Sequence, residues 1–223
     1  METTISKGDM TLTKALLACG IVAGPFYVVV GLVQAFNRPG FDITRHDLSL
    51  LSNGDLGWIQ ITNLIASGLL VIAGAVGMRQ ALHSHRGRAW GPLLIGIYGL
   101  GLIGAGIFIA DPAFGFPPGT PEGQPAAISW HGLLHFIFGA VGFLALIAAC
   151  FVSARRFSTL QQRGWAAYSV VTGLIFLAGF LGIALGSGNP WTILAFWIAV
   201  VVAWAWISII SVRLLSELPG ENH

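Results

Sequence analysis

Charged residues are scarce in this chain of 223 residues: Asp, Glu, Lys and Arg make up 9% of it, while 55% is hydrophobic. A soluble domain carries about 25% charged residues. The scarcity excludes an ordinary soluble domain. Apolar runs of about 20 residues recur along the chain, and each is long enough to cross a hydrocarbon core of ~30 Å. We therefore expect an integral membrane protein with membrane lipids as partners and no nucleic acid.

Cysteine is also rare, and both copies, Cys19 and Cys150, lie within apolar runs. This placement argues against a disulfide framework, so we interpret the two thiols as small apolar side chains. No Glu, Lys or Arg is buried within the apolar runs, although ion-coupled transporters usually need such groups there. The sequence therefore gives no support to coupled transport.

The apolar runs predict an all-α fold: a single domain, residues 1–223, folded as one bundle of six transmembrane helices in three hairpins. The first run resembles a secretory signal, but it is longer than the ~7–15 residues of such a signal's apolar region, and we expect a retained span. The predicted spans cover residues 12–36, 58–78, 90–110, 130–153, 165–185 and 191–212.

The distribution of Lys and Arg predicts the orientation of the bundle, since cytoplasmic loops are enriched in both. With a cytoplasmic N-terminus, only Arg38 and Arg45 lie outside. The other cations then lie on the cytoplasmic side: Lys7, Lys14, Arg79, Arg86, Arg88, Arg155, Arg156, Arg163 and Arg213. We therefore predict a cell-membrane protein with both termini in the cytoplasm.

Polar side chains capable of chemistry lie where the third span ends and the fourth begins. Asp111 closes the third span, and His131 and His135 open the fourth, four residues apart and so on one helical face. Imidazoles in this arrangement can share a divalent metal, or exchange protons with a nearby carboxylate. His46 and Asp47, from the first outer loop, could complete four ligands. The alternative is that the histidines are interfacial side chains that bind water and loop carbonyls.

The first outer loop carries a second polar group: Arg45, His46, Asp47 and Ser49. Arg and His together could bind an anionic lipid headgroup, and we treat the four residues as a candidate binding site. Their closeness in sequence does not make a Ser-His-Asp triad, which is a spatial arrangement. The alternative is a solvated loop with turn residues.

Two further motifs lead to weaker hypotheses. Haem ligation by two histidines needs imidazoles that face each other from different helices. His131 and His135 share one helix face, so haem is disfavoured relative to a metal or acid–base site.

The stretch from Gly99 to Gly104 matches the G-x-G-x-x-G dinucleotide pattern. It lies within a predicted transmembrane helix, so we interpret its glycines as helix-packing positions.

Five short stretches carry a resemblance to a known family. They are Arg45-His46-Asp47-Leu48-Ser49, Gly57-Trp58, Asp111-Pro112, Trp130-His131 and His135. From the first span to the sixth, the chain resembles the prokaryotic membrane proteins grouped as domain of unknown function family 998. The resemblance implies a six-span fold with a polar outer face and carries over no activity. A looser likeness in layout joins it to eukaryotic six-span proteins of the Frag1/DRAM type.

Two classes of function remain open at this level. In the first, the outer-face cluster is the active site of a lipid-directed enzyme, with His131, His135 and Asp111 as metal ligands or as acid and base. In the second, the protein is a non-catalytic sensor, scaffold or transport accessory, and the cluster recognises a headgroup or a partner.

Overall fold

The computed structural model describes residues 7–82, 90–186 and 188–218. The six long helices in this part of the chain are α1 (Lys7–Asn37), α2 (Gly57–Ala81), α3 (Trp90–Ile107), α4 (Trp130–Thr159), α5 (Arg163–Leu185) and α6 (Pro190–Ser216). Each is long and apolar enough to cross a membrane, and the described residues contain no strand. The predicted all-α, six-span fold is confirmed.

Some predicted features lie outside the described residues. These are the basic connection with His83, His85, Arg86 and Arg88, and Ser187 of the turn before α6.

Most observed helices extend beyond the predicted spans: α1 begins at Lys7 rather than 12, and α6 ends at Ser216 rather than 212. Helix α3 ends at Ile107, three residues before the predicted boundary at 110, and α4 continues past 153 to Thr159. Hydropathy marks the apolar part of a helix rather than its end, because a helix continues into the polar interface where its backbone bonds remain favourable. Helix α4 ends where Gln161 adopts a positive φ of 59°.

The helices form a closed ring in which each packs against its neighbour in sequence and α6 returns to α1. Glycines allow the helix backbones to approach closely. A Cβ added at Gly74 of α2 would lie 2.7 Å from the Cα of Gly20 in α1, and one added at Gly99 of α3 would lie 2.8 Å from the carbonyl oxygen of Gly68. Small residues drive such packing in membranes, so the packing interpretation of the glycine motif agrees with this geometry.

One end of the ring carries two long connections, and we call it the outer end after the predicted orientation. The first outer loop is residues 38–56, which include the short 3₁₀ helix Leu48–Ser52. The second outer loop is residues 108–129. The two loops are bonded to each other: the side-chain Nδ2 of Asn53 donates to the carbonyl oxygen of Ala110 at 3.1 Å. Together they cover the outer end of the bundle.

Candidate functional site

A cavity of about 490 Å³ lies inside the ring, beneath the two outer loops, and each of the helices α1 to α6 contributes to its wall. Ligand pockets in proteins occupy about 300–1,000 Å³ and are mostly apolar with a few polar groups. Most of this wall is apolar, and much of it is aromatic: Tyr27, Tyr98, Phe143, Phe180, Phe196, Trp197 and Trp204. The cavity therefore has the size and lining of a ligand pocket.

Polar side chains lie at its outer end. Asp47, Ser49, Asp111, Gln124 and His135 line the same cavity as the aromatic residues. They come from the first outer loop, the second outer loop and the first turns of α4, which meet at this end of the ring. The cavity therefore has an apolar body and a polar outer end.

Asp47 is held by the start of the 3₁₀ helix. Its Oδ1 accepts hydrogen bonds from the amides of Ser49 at 3.0 Å and Leu50 at 3.3 Å, and from the Ser49 hydroxyl. A carboxylate at this position satisfies amides that have no partner within the helix. Its Oδ2 has no partner among the described residues. Asp47 therefore caps the 3₁₀ helix with one oxygen only.

Asp111 reaches the N-terminus of α4, as its position at the end of the neighbouring helix predicts. Its Oδ2 accepts from the amide of Ser129 at 2.8 Å, and a Cβ added at Gly132 would collide with the carboxylate. The Ser129 hydroxyl in turn accepts from the Gly132 amide at 3.0 Å. A negative charge is stabilised at a helix N-terminus by the helix dipole. Asp111 thus links the second outer loop to α4.

His135 uses one ring nitrogen to hold the end of α3. Its Nδ1 lies 2.9 Å from the carbonyl oxygens of both Ala105 and Phe108, so Nδ1 carries the proton and donates. The side chain is 6% exposed and lines the cavity. In the neutral imidazole Nε2 is then an acceptor, and it has no partner among the described residues.

His131 has a different environment although it lies on the same helix face. Its ring packs against Trp130, with centroids 3.6 Å apart, and against Phe108 at 6.0 Å. Its Nδ1 is buried without a hydrogen-bond partner. His131 is not among the residues that line the cavity. Four-residue spacing put both imidazoles on one face, but tertiary packing gave them different neighbours.

The structure does not assemble the predicted metal ligands. Among the described residues, no three His, Cys, Asp or Glu side chains lie together in a way that could hold a metal ion. Asp111 bonds to an amide, and His135 donates to carbonyls through Nδ1. The hypothesis that His131, His135 and Asp111 bind a metal stays a prediction.

His46 links the two outer loops and does not line the cavity. Its Nδ1 accepts from the amide of Asp42 at 2.9 Å, and its Nε2 lies 2.9 Å from the carbonyl oxygen of Phe114. The second contact requires a proton on Nε2, so the ring is the neutral Nε2–H form. At 2% exposure, with both nitrogens bonded to the backbone, His46 serves the fold rather than a ligand.

Arg45, also predicted to bind a headgroup, pairs with Glu122 of the second outer loop. Both side chains are exposed, at 45% and 74%. Such a pair contributes about 0–1 kcal/mol to stability. The structure thus separates the four candidate binding residues of this loop: Asp47 and Ser49 line the cavity, whereas Arg45 and His46 do not.

The sequence alone missed Arg38. Its guanidinium donates to the carbonyl oxygens of Leu51 at 3.2 Å and Asn53 at 2.6 Å, and it lies 5.4 Å from the centroid of the Phe116 ring. Burial lowers its pKa below the usual value for arginine, since desolvation disfavours the charged form. The sequence indicated only a cation on the outer side. The carbonyl groups that Arg38 binds come close to it only when the first outer loop is folded.

Asp42, which supports the His46 contact through its backbone, is itself fixed locally. Its Oδ1 accepts from the hydroxyl of Thr44 at 2.7 Å and from the amide of Thr44 at 2.8 Å. These hydrogen bonds stabilise the ionised form and hold the pKa of the Asp42 carboxyl below its usual range. Asp42 is exposed and is not among the cavity residues.

A model of the family described as Protein of unknown function (DUF998) matches residues 21–213 of this chain. The match extends from within α1 to within α6, so it includes the cavity and both outer loops. The family predicted from the sequence is therefore confirmed, while the looser Frag1/DRAM likeness stays a prediction. No curated protein and no solved structure was found to match the chain.

Proposed function

Since the chain belongs to the family Protein of unknown function (DUF998), whose description names no activity, we propose its function from the cavity. The protein binds an amphipathic, lipid-like molecule inside the ring of helices. The apolar part of the molecule occupies the aromatic body of the cavity, and its polar part lies at the outer end, beside Asp47, Asp111 and His135.

The observation that carries this proposal is one cavity of about 490 Å³ that has an apolar body and a polar outer end. The apolar wall would contact the apolar part of a bound molecule, and the polar groups at one end would set its orientation. The cavity is surrounded by membrane-spanning helices, and lipids are its immediate environment. A lipid-like ligand therefore matches both the lining and the location.

Binding is favoured over catalysis by how the candidate side chains are used. Acid–base exchange between His135 and Asp111 would need the two side chains within hydrogen-bond reach, and no hydrogen bond among the described residues joins them. Here the proton-bearing nitrogen of His135 is held by two backbone carbonyls, and one oxygen of Asp111 is bonded to an amide. These contacts fix the two side chains in place, which suits recognition of a bound molecule.

The proposal includes a location: the protein lies in the cell membrane with its termini in the cytoplasm, so that the cavity's polar end faces the extracytoplasmic side. The support is the excess of Lys and Arg in the connections at the opposite end. Reporter fusions after Asn53 and Gly119 should read outside and a fusion after Arg156 should read cytoplasmic. An outside reading at Arg156 would overturn the orientation.

Binding can be tested with a substitution that fills the cavity and leaves the packing of the helices undisturbed. Gly139 lines the cavity, and a Cβ added there would meet no heavy atom within 4 Å. Gly139→Phe should therefore fold and occupy space that the ligand needs. Gly164→Phe is the matched control, because Gly164 is exposed on α5 and its added Cβ also has no neighbour within 4 Å.

Lipid-like molecules retained by the purified protein after detergent washing would be quantified by mass spectrometry. We expect wild type and Gly164→Phe to retain the same amount, and Gly139→Phe to lose about tenfold or more, equivalent to about 1.4 kcal/mol of binding free energy. Equal retention by a folded Gly139→Phe variant would contradict the proposal, because the bound molecules would then lie on the outer surface of the bundle.

A further inference from the structure

We infer that the polar part of the ligand is a positively charged hydrogen-bond donor, so that the ligand is an amphipathic amine. This inference rests on the proposed function and adds the chemical class of the ligand. It comes from Asp47, Asp111 and His135 at the outer end of the cavity, whose remaining hydrogen-bonding atoms are acceptors.

Four donors near this end are bonded within the protein. The amides of Ser49 and Leu50 donate to Asp47, and the amide of Ser129 donates to Asp111. The indole nitrogen of Trp197 donates to the carbonyl oxygen of His46 at 3.1 Å. A ligand that offers only acceptors, such as a phosphate or carboxylate, would find these donors occupied.

The acceptors that remain belong to three side chains that line the cavity. Asp47 uses only Oδ1 in its hydrogen bonds, and Asp111 uses only Oδ2. His135, nine-tenths buried, donates through Nδ1 and has an Nε2 without a partner among the described residues. The imidazole is an observation independent of the carboxylates, and it too requires a donor. The ligand must therefore supply the hydrogens.

Charge leads to the same class of ligand. The described cavity lining contains two carboxylates and no Lys or Arg. An anionic headgroup there would meet like charges in a region of low dielectric, whereas an ammonium group would neutralise them. Trp197 is one of several aromatic residues in the wall, and aromatic rings attract cations. A protonated amine thus satisfies the charge, the acceptors and the aromatic wall together.

The experiment compares three probes with one alkyl chain and different heads: dodecylamine, dodecanol and dodecanoate. Their binding to the full chain in lipid nanodiscs would be measured, with partition into empty nanodiscs subtracted. We expect wild type to bind the amine at least about tenfold more tightly than the alcohol, since hydrogen bonds to charged groups contribute about that much. Dodecanoate should bind most weakly.

Two variants test the carboxylates individually. Asp47→Asn and Asp111→Asn keep an oxygen for the capped amides, so both should fold. Each should reduce the preference for the amine over the alcohol by about tenfold. Asp42→Asn is the matched control on the same outer face: its carboxylate also accepts from an amide, but it does not line the cavity. It should leave the preference unchanged.

The outcomes separate this inference from the proposed function. Equal binding of all three probes, or a preference for dodecanoate, would overturn the amine assignment while cavity binding stands. An amine preference that survives both Asp47→Asn and Asp111→Asn would also overturn it, because other groups would then select the head. No probe binding by wild type beyond that of Gly139→Phe would overturn the proposed function itself.

Discussion

Two transmembrane glycines have contrasting surroundings: a Cβ added at Gly74 would lie 2.7 Å from the Cα of Gly20, whereas one added at Gly139 would meet no heavy atom within 4 Å. Gly74 belongs to the contact between α1 and α2, where two backbones touch. Gly139 belongs to the part of α4 that lines the cavity. The same residue type thus serves close packing in one region and leaves open volume in the other.

The histidines divide in the same way. Both ring nitrogens of His46 are bonded to backbone groups, and the side chain connects the outer loops. His135 has one nitrogen bonded to the backbone and one without a partner among the described residues, on a ring that lines the cavity. In both comparisons, the residue whose neighbouring space or hydrogen-bonding atoms are occupied by other parts of the protein serves the fold. The residue with open space or an unbonded atom lies at the cavity.

The largest effect should come from Gly74→Leu. The added side chain would meet the backbone of Gly20, which cannot move aside as a flexible side chain can. We expect the variant to lose at least about 3 kcal/mol of stability, the upper part of the range for overpacked interiors. The thermal midpoint in detergent and the yield of folded protein would measure the loss.

Gly139→Leu is the control for Gly74→Leu, since it makes the same substitution in a helix where the added atoms meet open space. Its midpoint should stay close to that of wild type. Similar losses in the two variants would break the comparison, because the cavity would then not be open volume.

His46→Phe should have the second largest effect. Phenylalanine keeps an aromatic ring beside Phe116 but leaves the amide of Asp42 and the carbonyl of Phe114 without partners. An unpaired buried polar group costs about 1–3 kcal/mol, so we expect a loss of roughly 2 kcal/mol. Faster cleavage of the outer loops under limited proteolysis should accompany it.

His131→Phe provides the comparison within one residue type. The Nδ1 of His131 is already buried without a partner, and its ring packs on Trp130 and Phe108. A phenyl ring can keep these contacts, so the midpoint should change little. A larger loss for His131→Phe than for His46→Phe would show that hydrogen bonding does not distinguish the two positions.

The smallest effect should come from the outer arginines. Arg38→Met keeps an unbranched apolar stem and removes the hydrogen bonds to Leu51 and Asn53, for an expected loss of about 1–2 kcal/mol. Arg45→Met removes only an exposed ion pair and should cost less than about 0.5 kcal/mol. Chemical denaturation would compare the two, and equal losses would contradict the assignment of Arg38 as the structural arginine.

The fold could be predicted because membrane constraints act locally. Any run of about 20 apolar residues must satisfy its backbone hydrogen bonds within itself, so hydropathy reports helices directly. The placement of Asp111 beside the N-terminus of α4 could also be predicted, because consecutive helices are neighbours. The spacing of His131 and His135 predicted a shared helix face, but not which neighbour each imidazole would meet.

The cavity could not be predicted from the sequence. Tyr27, Tyr98, Trp197 and Trp204 lie in apolar runs, where an aromatic residue that lines a cavity has the same pattern as one in a packed core. Their shared wall exists only after α6 packs against α1 and closes the ring. Contacts between residues far apart in sequence carry no local periodicity that could reveal them.

The six spans of this membrane protein and the polar groups at one end can be read from its sequence, because apolar length and residue type act within each segment. Which polar groups keep an unused hydrogen-bonding atom depends on the packing of the whole ring. That packing directed His46 and Arg38 to backbone partners in the outer loops, and it left acceptors of Asp47, Asp111 and His135 at the cavity. Hydrogen-bond partners are chosen by distance in space, and only the folded ring sets those distances.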